Sequence, residues 1–242
     1  MTSQPTPPAS DTVGRAPGVA PFAHTRDEAL FGVTRVLTFE GTRGLSAASG
    51  FFFERDARLY LVTSRHVLFD AKSGHAPDRI EIEMHTDQRD LTRMARLSIL
   101  LHRDGVATWH QARDSGGEVD VATLEIDRHT MPAGAVLQPF GPQHLGVGFD
   151  AFEVGDRLAI PGFPLGFFDT VHHLPVVRQA SIASFYGIRF QGQGLFLTDA
   201  RMHRGSSGSP VLARLYEADG RHRWCLLGIH SSRMDMTTRD LA

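Results

Sequence analysis

The sequence predicts an all-β fold made of many short strands. Short runs of apolar and β-branched residues recur along the 242 residues, and turns rich in the chain's 24 glycines and 13 prolines separate them. No long apolar pattern with the helical period of about 3.6 residues appears before Arg233. Together these observations favour a β-barrel or a β-sandwich.

The composition is that of an ordinary globular protein. The chain is 41% hydrophobic and 21% charged, and its length suffices for one large or two small cores. A net charge of -2 gives no electrostatic reason to expect binding to nucleic acid or to an anionic membrane. No apolar run approaches the roughly 18 residues that a membrane-spanning helix needs. We therefore expect neither a nucleic-acid partner nor a membrane partner.

The N-terminal segment and the cysteine content bear on the cellular compartment. Residues 1–26 are rich in Pro, Ser, Thr and Ala, and they lack the basic start and apolar block of a secretory signal. We expect a disordered tail there, which is also compatible with a pro-segment. The single cysteine, Cys225, stands in an apolar run, where a buried, inert thiol is expected. A lone cysteine without a signal peptide predicts a cytoplasmic protein.

The first half of the chain is predicted to hold a short helix and several strands. The helix is expected within residues 24–30. Residues 41–50 and 104–117 are small or polar and are expected to form turns. The predicted strands cover residues 32–39, 51–63 (a hairpin with its turn at 55–57), 80–84, 97–101 and 119–126.

The second half follows a connection over residues 130–150, which contains several glycines and prolines. Its first strand runs into a loop rich in Pro and Gly over residues 161–166. A turn is expected at Asp219 and Gly220. The predicted strands of this half cover residues 154–160, 176–185, 194–198, 211–216 and 224–229.

A Gly-Ser-Ser-Gly-Ser-Pro sequence over residues 205–210 has the pattern of a tight loop that carries a nucleophile. Gly205 permits backbone conformations that a side chain forbids, and the small residues after Ser207 leave room for a substrate. The N–H groups of Gly205 and Ser207 are candidates for an oxyanion hole. The hexapeptide alone is also compatible with an ordinary surface loop. A nucleophilic serine therefore needs support from a base and from a group that orients the base.

Two upstream residues are candidates for that support. His66 follows a Leu-Val-Thr strand, although any one of the 13 histidines proves little by itself. Asp120 opens an apolar strand, where a carboxylate needs a hydrogen-bond partner such as a histidine Nδ1–H. Alternatively, Asp120 caps the backbone of its own strand. The order His66, Asp120, Ser207 is one of the three known orders of a Ser-His-Asp triad.

Four blocks of the sequence together resemble trypsin-like serine proteases of the chymotrypsin fold. Within that family they are most similar to the bacterial HtrA/Deg type and to the glutamyl endopeptidases. The resemblance covers roughly residues 30–235. The blocks are residues 49–52 with 61–67, residues 120–126, residues 155–166, and residues 198–211.

The resemblance implies two six-stranded antiparallel β-barrels, residues 27–140 and 141–242, with the active site in the cleft between them. It implies a serine endopeptidase in which His66 takes the proton of Ser207 and Asp120 orients His66. The N–H groups of Gly205 and Ser207 then hold the oxyanion. A protein or peptide is the implied substrate, and no metal or cofactor is needed. The oligomeric state stays open.

A preference for acidic residues is also implied. The sequence Gly-Ile-His at residues 228–230 resembles that of glutamyl endopeptidases, in which the histidine helps bind an acidic side chain. Arg201 falls where trypsin places the carboxylate of its specificity pocket. Arg201 and His230 together thus imply Glu or Asp just before the scissile bond. Met202 departs from the hydroxyl residue usual in that family, and the alternative is that Arg201 points to solvent.

Other functions use the same residues differently. A catalytically silent protease fold that binds a partner protein through its loops is the main alternative to an active endopeptidase. An acyl hydrolase acting on esters would share the chemistry and differ in substrate. The adjacent His172 and His173 raise the question of a zinc site, but we see no Cys or carboxylate at ligand spacing.

Overall fold

The computed structural model describes residues 28–146, 148–165, 167–216 and 220–232. The predicted tail over residues 1–26 lies outside the described residues, as does most of the predicted N-terminal helix. Thirteen β-strands and two one-turn α-helices are present in the described part, and all strand pairs of the sheets are antiparallel. The all-β prediction is therefore confirmed.

The first half contains nine strands, most of them in one sheet. The elements are α1 (Glu28–Phe31), β1 (Val33–Glu40), β2 (Arg43–Arg55), β3 (Arg58–Thr63), α2 (Arg65–Leu68), β4 (Arg79–His85), β5 (Met94–Leu100), β6 (His102–Arg103), β7 (Val106–Ala107), β8 (Trp109–Asp114) and β9 (Gly117–Ile126). The order in the seven-stranded sheet is β5-β4-β1-β2-β3-β9-β8, and β6 and β7 pair separately.

The central hairpin of this sheet is the one that the sequence predicts. Strands β2 and β3 pair from Phe51 with Val62 to Arg55 with Arg58. The turn between them has positive φ at both central residues, Asp56 (51°) and Ala57 (61°), as a two-residue hairpin turn requires. The hairpin matters for the site because a single residue, Ser64, separates β3 from α2, which carries His66.

Two segments that we expected to be turns are strands instead. Residues 43–50 extend β2 and pair with β1, and residues 109–114 form β8 and pair with β9. The small residues of β2 have a packing reason, because a Cβ on Gly50 would lie 2.9 Å from Leu61 Cδ1 and 3.0 Å from Val36 Cγ2. Close packing against neighbouring strands thus overrides the low β-propensity of these residues.

The second half forms a smaller sheet. Three short 3₁₀ turns, Arg128–Thr130, Pro142–His144 and Phe149–Ala151, lead to β10 (Arg157–Gly162), β11 (Val176–Ser181), the 3₁₀ turn Phe190–Gly192, β12 (Pro210–Tyr216) and β13 (His222–Ile229). The strand order is β11-β10-β12-β13. The strand predicted over residues 194–198 is reduced to a single bridge between Ile182 and Thr198, because the preceding segment turns at Gly187 and Gly192, both with positive φ.

Strand numbers differ from the two sets of six that the family resemblance implies. The described residues form one sheet of seven strands, one of four and one of two. No pairing between edge strands closes a barrel within the described part of the chain. The boundary at residue 140 stays a prediction, although Phe140 still exchanges backbone hydrogen bonds with Phe52 and Glu54 of β2.

An apolar cluster joins the two halves. It combines Phe51 and Val62 of the first sheet with Phe163, Leu212 and Trp224 of the second, and all five are buried. Burying one such side chain contributes about 1.5–3 kcal/mol, so this cluster fixes how the halves meet. Each half also has an apolar core of its own.

The prediction for the single cysteine is confirmed. Cys225 is fully buried in the core of the second half, and burial raises the pKa of its thiol. In the described residues, no helix is long and apolar enough to cross a membrane.

Candidate active site

His66 and Asp120 lie on neighbouring elements of the first sheet. His66 lies in α2, directly after β3, and Asp120 lies in β9, which pairs with β3. His66 Nδ1 is 2.7 Å from Asp120 Oδ2, and the His66 backbone N–H donates to Asp120 Oδ1 at 2.9 Å. One carboxylate thus holds both the ring and the backbone of the histidine. The structure therefore brings these two predicted residues together.

Hydrogen bonds keep Asp120 ionised. Burial alone would raise the pKa of Asp120, but hydrogen bonds from the His66 ring and from Ser231 outweigh it and lower the pKa. Ser231 Oγ donates to Asp120 Oδ2, the same oxygen that faces the His66 ring. An ionised carboxylate at Nδ1 holds the proton there and leaves Nε2 of the neutral ring as an acceptor. This arrangement prepares His66 to act as a base.

Ser207 lies in an irregular loop just before β12. Two consecutive turns form this loop, with Ser206 N–H donating to His203 O (3.2 Å) and Ser209 N–H to Ser206 O (3.0 Å). Ser207 Oγ donates to the carbonyl oxygen of Ser231 at 3.2 Å. No hydrogen bond joins Ser207 to His66 among the described residues. Asp120 thus contacts both His66 and Ser231, and Ser207 contacts Ser231. The serine and the histidine are not bonded to each other.

Two glycines allow the loop to pack closely against its surroundings. Gly205 and Gly208 have φ of 92° and 89°, in the region that favours glycine. A Cβ on Gly205 would lie 2.6 Å from Phe163 O and 2.8 Å from Leu165 N, and one on Gly208 would overlap Ser49 O. Both positions therefore require glycine for conformation and for space.

A buried serine of the first half anchors the nucleophile loop. The Ser49 N–H donates to Ser207 O at 2.9 Å, and Ser49 Oγ donates to Gly205 O at 2.8 Å. The same Oγ accepts from the Phe163 N–H at 2.9 Å. Ser49 of β2 thus links the loop to residue 163, and a neighbouring residue, Thr63, supports it by donating to Ser49 O.

The predicted oxyanion groups are available for a ligand. Within the described residues, neither the Gly205 N–H nor the Ser207 N–H donates to a protein acceptor. The peptide group before Gly205 is held because Leu165 N–H donates to Arg204 O at 2.8 Å. Since a trans peptide directs its N–H away from its C=O, this bond points the Gly205 N–H away from residue 165.

His230 lies next to the His66–Asp120 pair. It follows β13, its N–H donates to Ser209 O and its carbonyl accepts from the Gly208 N–H, each at 2.8 Å. Burial lowers the pKa of His230, and the proximity of His66 lowers it further. A neutral imidazole thus lies beside His66 near neutral pH.

Arg201 lies elsewhere. It is exposed and lines a concavity of 620 Å³ together with Arg157, residues 177–181 and Asp199, and neither Ser207 nor His230 lines it. The buried residue of this segment is Met202, which is 3% exposed in the core of the second half. Because Met202 points inward, its neighbour Arg201 points outward. The structure therefore does not bring Arg201 and His230 together.

The paired histidines make contacts with carboxylates. His172 Nδ1 is 2.9 Å from Asp169 Oδ2. The expectation that no carboxylate stands at ligand spacing from these histidines is therefore wrong. His173 Nδ1 is 3.5 Å from the buried Glu83. No group of three metal-ligating side chains with metal-site geometry is found in the described part of the chain.

Sequence reasoning missed two residues that shape the site. Ser231 follows the Gly-Ile-His sequence and binds Asp120 across 111 residues of chain. Ser49 stands in one of the four resembling blocks, but its bond to Gly205 spans 156 residues. The family resemblance of their neighbours is the signal that points to these positions, since neither serine has a local pattern of its own.

Comparison with known proteins identifies the family. The family model of the trypsin-like peptidase domain matches residues 48–218, which is more than half of the chain. The chain therefore belongs to the trypsin-like peptidase family, the family of trypsin-like serine proteases with the chymotrypsin fold. This confirms the family that the four blocks indicate. No curated protein sequence matches the chain.

Several solved structures resemble the chain at low identity. The HtrA-type protease AlgW, a serine-to-alanine variant with a tripeptide, is 16% identical with a TM-score of 0.44, covering 81% of this chain and 56% of that one. An inactivated protease paralogue of the scabies mite, S-I1, is 18% identical with a TM-score of 0.48, covering 81% and 89%. The serine endoprotease from Yersinia pestis is 16% identical with a TM-score of 0.44, covering 81% and 58%. The chain thus matches little more than half the length of two of these three proteins.

Proposed function

We propose that this protein is a serine endopeptidase that hydrolyses peptide bonds through an acyl-enzyme. The observation that carries the proposal is the His66–Asp120 pair, bonded at 2.7 Å, in a chain of the trypsin-like family that carries Ser207 on a glycine loop. Family membership implies protein or peptide substrates. In this proposal Ser207 is the nucleophile, His66 the general base and Asp120 the residue that orients it.

The mechanism begins with a rotation of the Ser207 side chain. Its Oγ leaves the Ser231 carbonyl, which it binds at 3.2 Å, and turns toward His66 Nε2, because catalytic hydrogen bonds often form only with substrate bound. Oγ attacks the peptide carbonyl carbon as its proton passes to Nε2. The Gly205 and Ser207 N–H groups, which have no protein acceptor among the described residues, stabilise the oxyanion.

Collapse of the tetrahedral intermediate breaks the peptide C–N bond. The proton on His66 passes to the departing amine, and Ser207 remains as an acyl ester. A water molecule then attacks the ester while His66 takes its proton, and that proton returns to Ser207 Oγ as the acid product leaves. Asp120 stays ionised throughout and stabilises the protonated ring.

One observation favours a second candidate, a silent protease fold that binds a partner protein. Ser207 Oγ is bonded to a backbone carbonyl and not to His66 within the described part. If the loop holds the serine there permanently, the site binds peptide segments without cleaving them. The two candidates differ in whether Ser207 is activated.

A fluorophosphonate probe separates the candidates. We expect the parent protein to be labelled and Ser207→Ala to remain unlabelled, with His66→Ala labelled far more slowly because the base is absent. Thermal unfolding of each variant checks that the fold is intact. A folded parent that resists the probe would instead support the silent binding module. Cleavage of a peptide library, compared with hydrolysis of a simple ester, then separates a peptidase from an esterase.

We also propose that a residue just before the scissile bond is acidic, with His230 as its partner. The support is the position of His230 beside His66 and its partial burial. Since burial and His66 lower the pKa of His230 from 6.5, its charge appears only in acidic solution. We expect the ratio of kcat/KM for a Glu over a matched Gln substrate to rise as the pH falls below that value.

The ratio cancels any effect of pH that slows both substrates alike. His230→Gln should remove both the preference and its pH dependence, whereas Arg201→Gln should leave them unchanged because Arg201 lies in a different concavity. Equal cleavage of the Glu and Gln substrates at every pH would contradict the acidic preference.

A further inference from the structure

The concavity at β11 lies along the edge of a sheet. Strand β11 is the outer strand of the four-stranded sheet, and five consecutive residues, 177–181, line the concavity. Successive side chains of a strand point to opposite faces, so a run of consecutive lining residues places the concavity beside the strand's edge. Within the described residues, no other strand pairs with the outer side of residues 176–180.

Three arginines give this concavity a positive charge. Arg157, Arg178 and Arg201 line it with one carboxylate, Asp199. Among the described residues, none of the three arginines forms an ion pair. Asp199 Oδ1 instead accepts from the Ser181 N–H at 2.5 Å. Asp199 thus ends the free edge of β11 and forms no ion pair with the arginines, and three arginines against one carboxylate leave the concavity with a net positive charge.

Contacts within the protein hold the Arg178 side chain in place but leave one of its donors without an acceptor. Its side chain is partly buried, its guanidinium lies over the Phe167 ring at 5.7 Å from the centroid, and its Nε is buried without a hydrogen-bond partner in the described part of the chain. A buried donor without an acceptor is unfavourable. An incoming carboxylate would satisfy it, and the planar guanidinium matches a carboxylate in bidentate geometry.

We propose that this concavity binds an acidic peptide segment, which adds to β11 as an extra strand. Main-chain hydrogen bonds to the free edge would supply affinity, and the three arginines would select carboxylates. Five strand residues span about 17 Å, and the volume of 620 Å³ is within the range of ligand sites. The site is separate from Ser207, and the proposal does not rest on the proposed peptidase activity.

The proposed occupant is a segment of a partner protein. Residues 1–27 and 233–242 each contain as many basic as acidic residues, so neither carries the negative charge that the arginines select. The free edge, which offers alternating N–H and C=O groups, favours an extended polypeptide as the ligand. The chemical class is therefore a peptide or protein segment rich in Glu or Asp.

Fluorescence anisotropy with a labelled hexaglutamate peptide tests the proposal. The host is Ser207→Ala, so that no cleavage interferes and a failure of the peptidase proposal cannot affect the result. We expect hexaglutamine to bind at least about tenfold more weakly than hexaglutamate. The double variant Arg157→Gln, Arg178→Gln should weaken hexaglutamate binding by at least about tenfold. Arg103→Gln, which removes an exposed arginine of β6, should leave it unchanged.

Two further measurements distinguish strand pairing from charge attraction and from loss of folding. Hexaglutamate methylated on alternate backbone nitrogens keeps its charges but cannot pair as a strand, and we expect it to bind much more weakly. Thermal unfolding confirms that the variants are folded. Unchanged affinity in the double variant would overturn the proposal, as would equal binding of the methylated peptide. Loss of binding on His230→Gln, with the arginine variants unaffected, would place the peptide in the cleft and also overturn it.

Discussion

The two halves of the molecule hold their parts of the candidate site in different ways. In the first half, His66 and Asp120 lie on adjoining elements of one sheet and bind each other directly. In the second half, Ser207 lies on an irregular loop whose backbone is bonded to Ser49, a residue of the other half. Contacts within the first half alone thus position the histidine–aspartate pair. The position of the serine depends instead on contacts between the two halves.

Because of this difference, substitutions in the two places should affect the reaction and the stability of the fold differently. A change within the histidine–aspartate pair should affect the reaction and leave the fold intact, because both side chains are partly exposed. A change at the contact between β2 and the nucleophile loop should affect both, because Ser49 is fully buried and Gly208 is buried too. The following substitutions test this difference at one position after another.

The largest effect is expected for Asp120→Asn. The amide cannot hold the Nδ1 proton of His66 in the same way, so His66 loses the tautomer that accepts the serine proton, and reactivity should fall by about 10⁴-fold. The rate of fluorophosphonate labelling measures this. The unfolding midpoint should hardly move. Asp104→Asn, at an exposed turn position with positive φ, is the matched control, and similar losses in both variants would refute the assigned role.

Gly208→Ala should damage stability and chemistry together. The new Cβ would overlap Ser49 O and Thr63 Oγ1 at a φ of 89°, and strain plus overlap should cost about 2–4 kcal/mol of unfolding free energy. A displacement of Ser207 by about 1 Å would slow labelling about 10²-fold.

Gly155→Ala is the control for that substitution. Gly155 has a φ of 97°, and a Cβ there would meet nothing within 4 Å, so only backbone strain of about 1–2 kcal/mol is expected. Chemical denaturation measures both variants. If the two substitutions lower the unfolding free energy equally, the close packing of Gly208 against β2 is not what holds the loop in place.

Ser49→Ala tests the anchor with a smaller change. It leaves Gly205 O and the Phe163 N–H without their partner in a buried region, which should cost about 1–3 kcal/mol. We expect kcat to fall more than KM changes, because the loop carries the reacting serine. Ser46→Ala removes a hydroxyl of the same strand that bonds the Thr38 hydroxyl and not the loop, and it should leave kcat unchanged. An unaltered kcat in Ser49→Ala would show that the loop keeps its position without the anchor.

The smallest effect is a pH dependence of stability. His85 donates from Nε2 to His172 O at 2.6 Å, where a loop of the second half meets the first sheet. Burial lowers the pKa of His85 from 6.5, and nearby His173 also lowers it. The unfolded state therefore binds the proton more tightly, and the unfolding free energy should decrease as the pH falls below 6.5.

Denaturant titrations at several pH values measure this decrease. His85→Gln should reduce it, whereas His102→Gln, at an exposed position of β6, should not. Burial also lowers the pKa of His230, so part of the decrease should persist in His85→Gln. A stability that is constant across this range would contradict the assignment.

Sequence patterns predicted the parts of this molecule that depend on local order. The β2–β3 hairpin carries its own turn signal. The strand contexts of His66 and Asp120 predicted them as partners, and the structure brings the two together. The pattern around Ser207 predicted a tight glycine loop for the same reason, and Gly205 and Gly208 have positive φ there. In each case the information lies within a few residues of the feature.

Features that depend on distant contacts were not predictable. Ser49 and Ser231 act through partners more than 100 residues away. The family resemblance of their neighbours points to their positions, but no local pattern shows which residues they bind. The glycine of β2, Gly50, looks like a turn residue until its close contacts with Leu61 and Val36 are known. Arg201 was placed by spacing to Ser207 alone, and spacing does not report which side of the loop points inward.

The hydrogen bonds from Ser49 to the nucleophile loop have a consequence for folding during synthesis, because they join an early part of the chain to a late one. The ribosome makes residues 66 and 120 well before residue 207, and N-terminal parts generally fold first during synthesis. A nascent chain can therefore hold the complete His66–Asp120 pair while its serine is not yet made or not yet docked on β2. On the proposed function, an unfinished chain cannot cut itself or its neighbours. On that function, the site becomes active only after residue 207 has been made and its loop has bonded to Ser49.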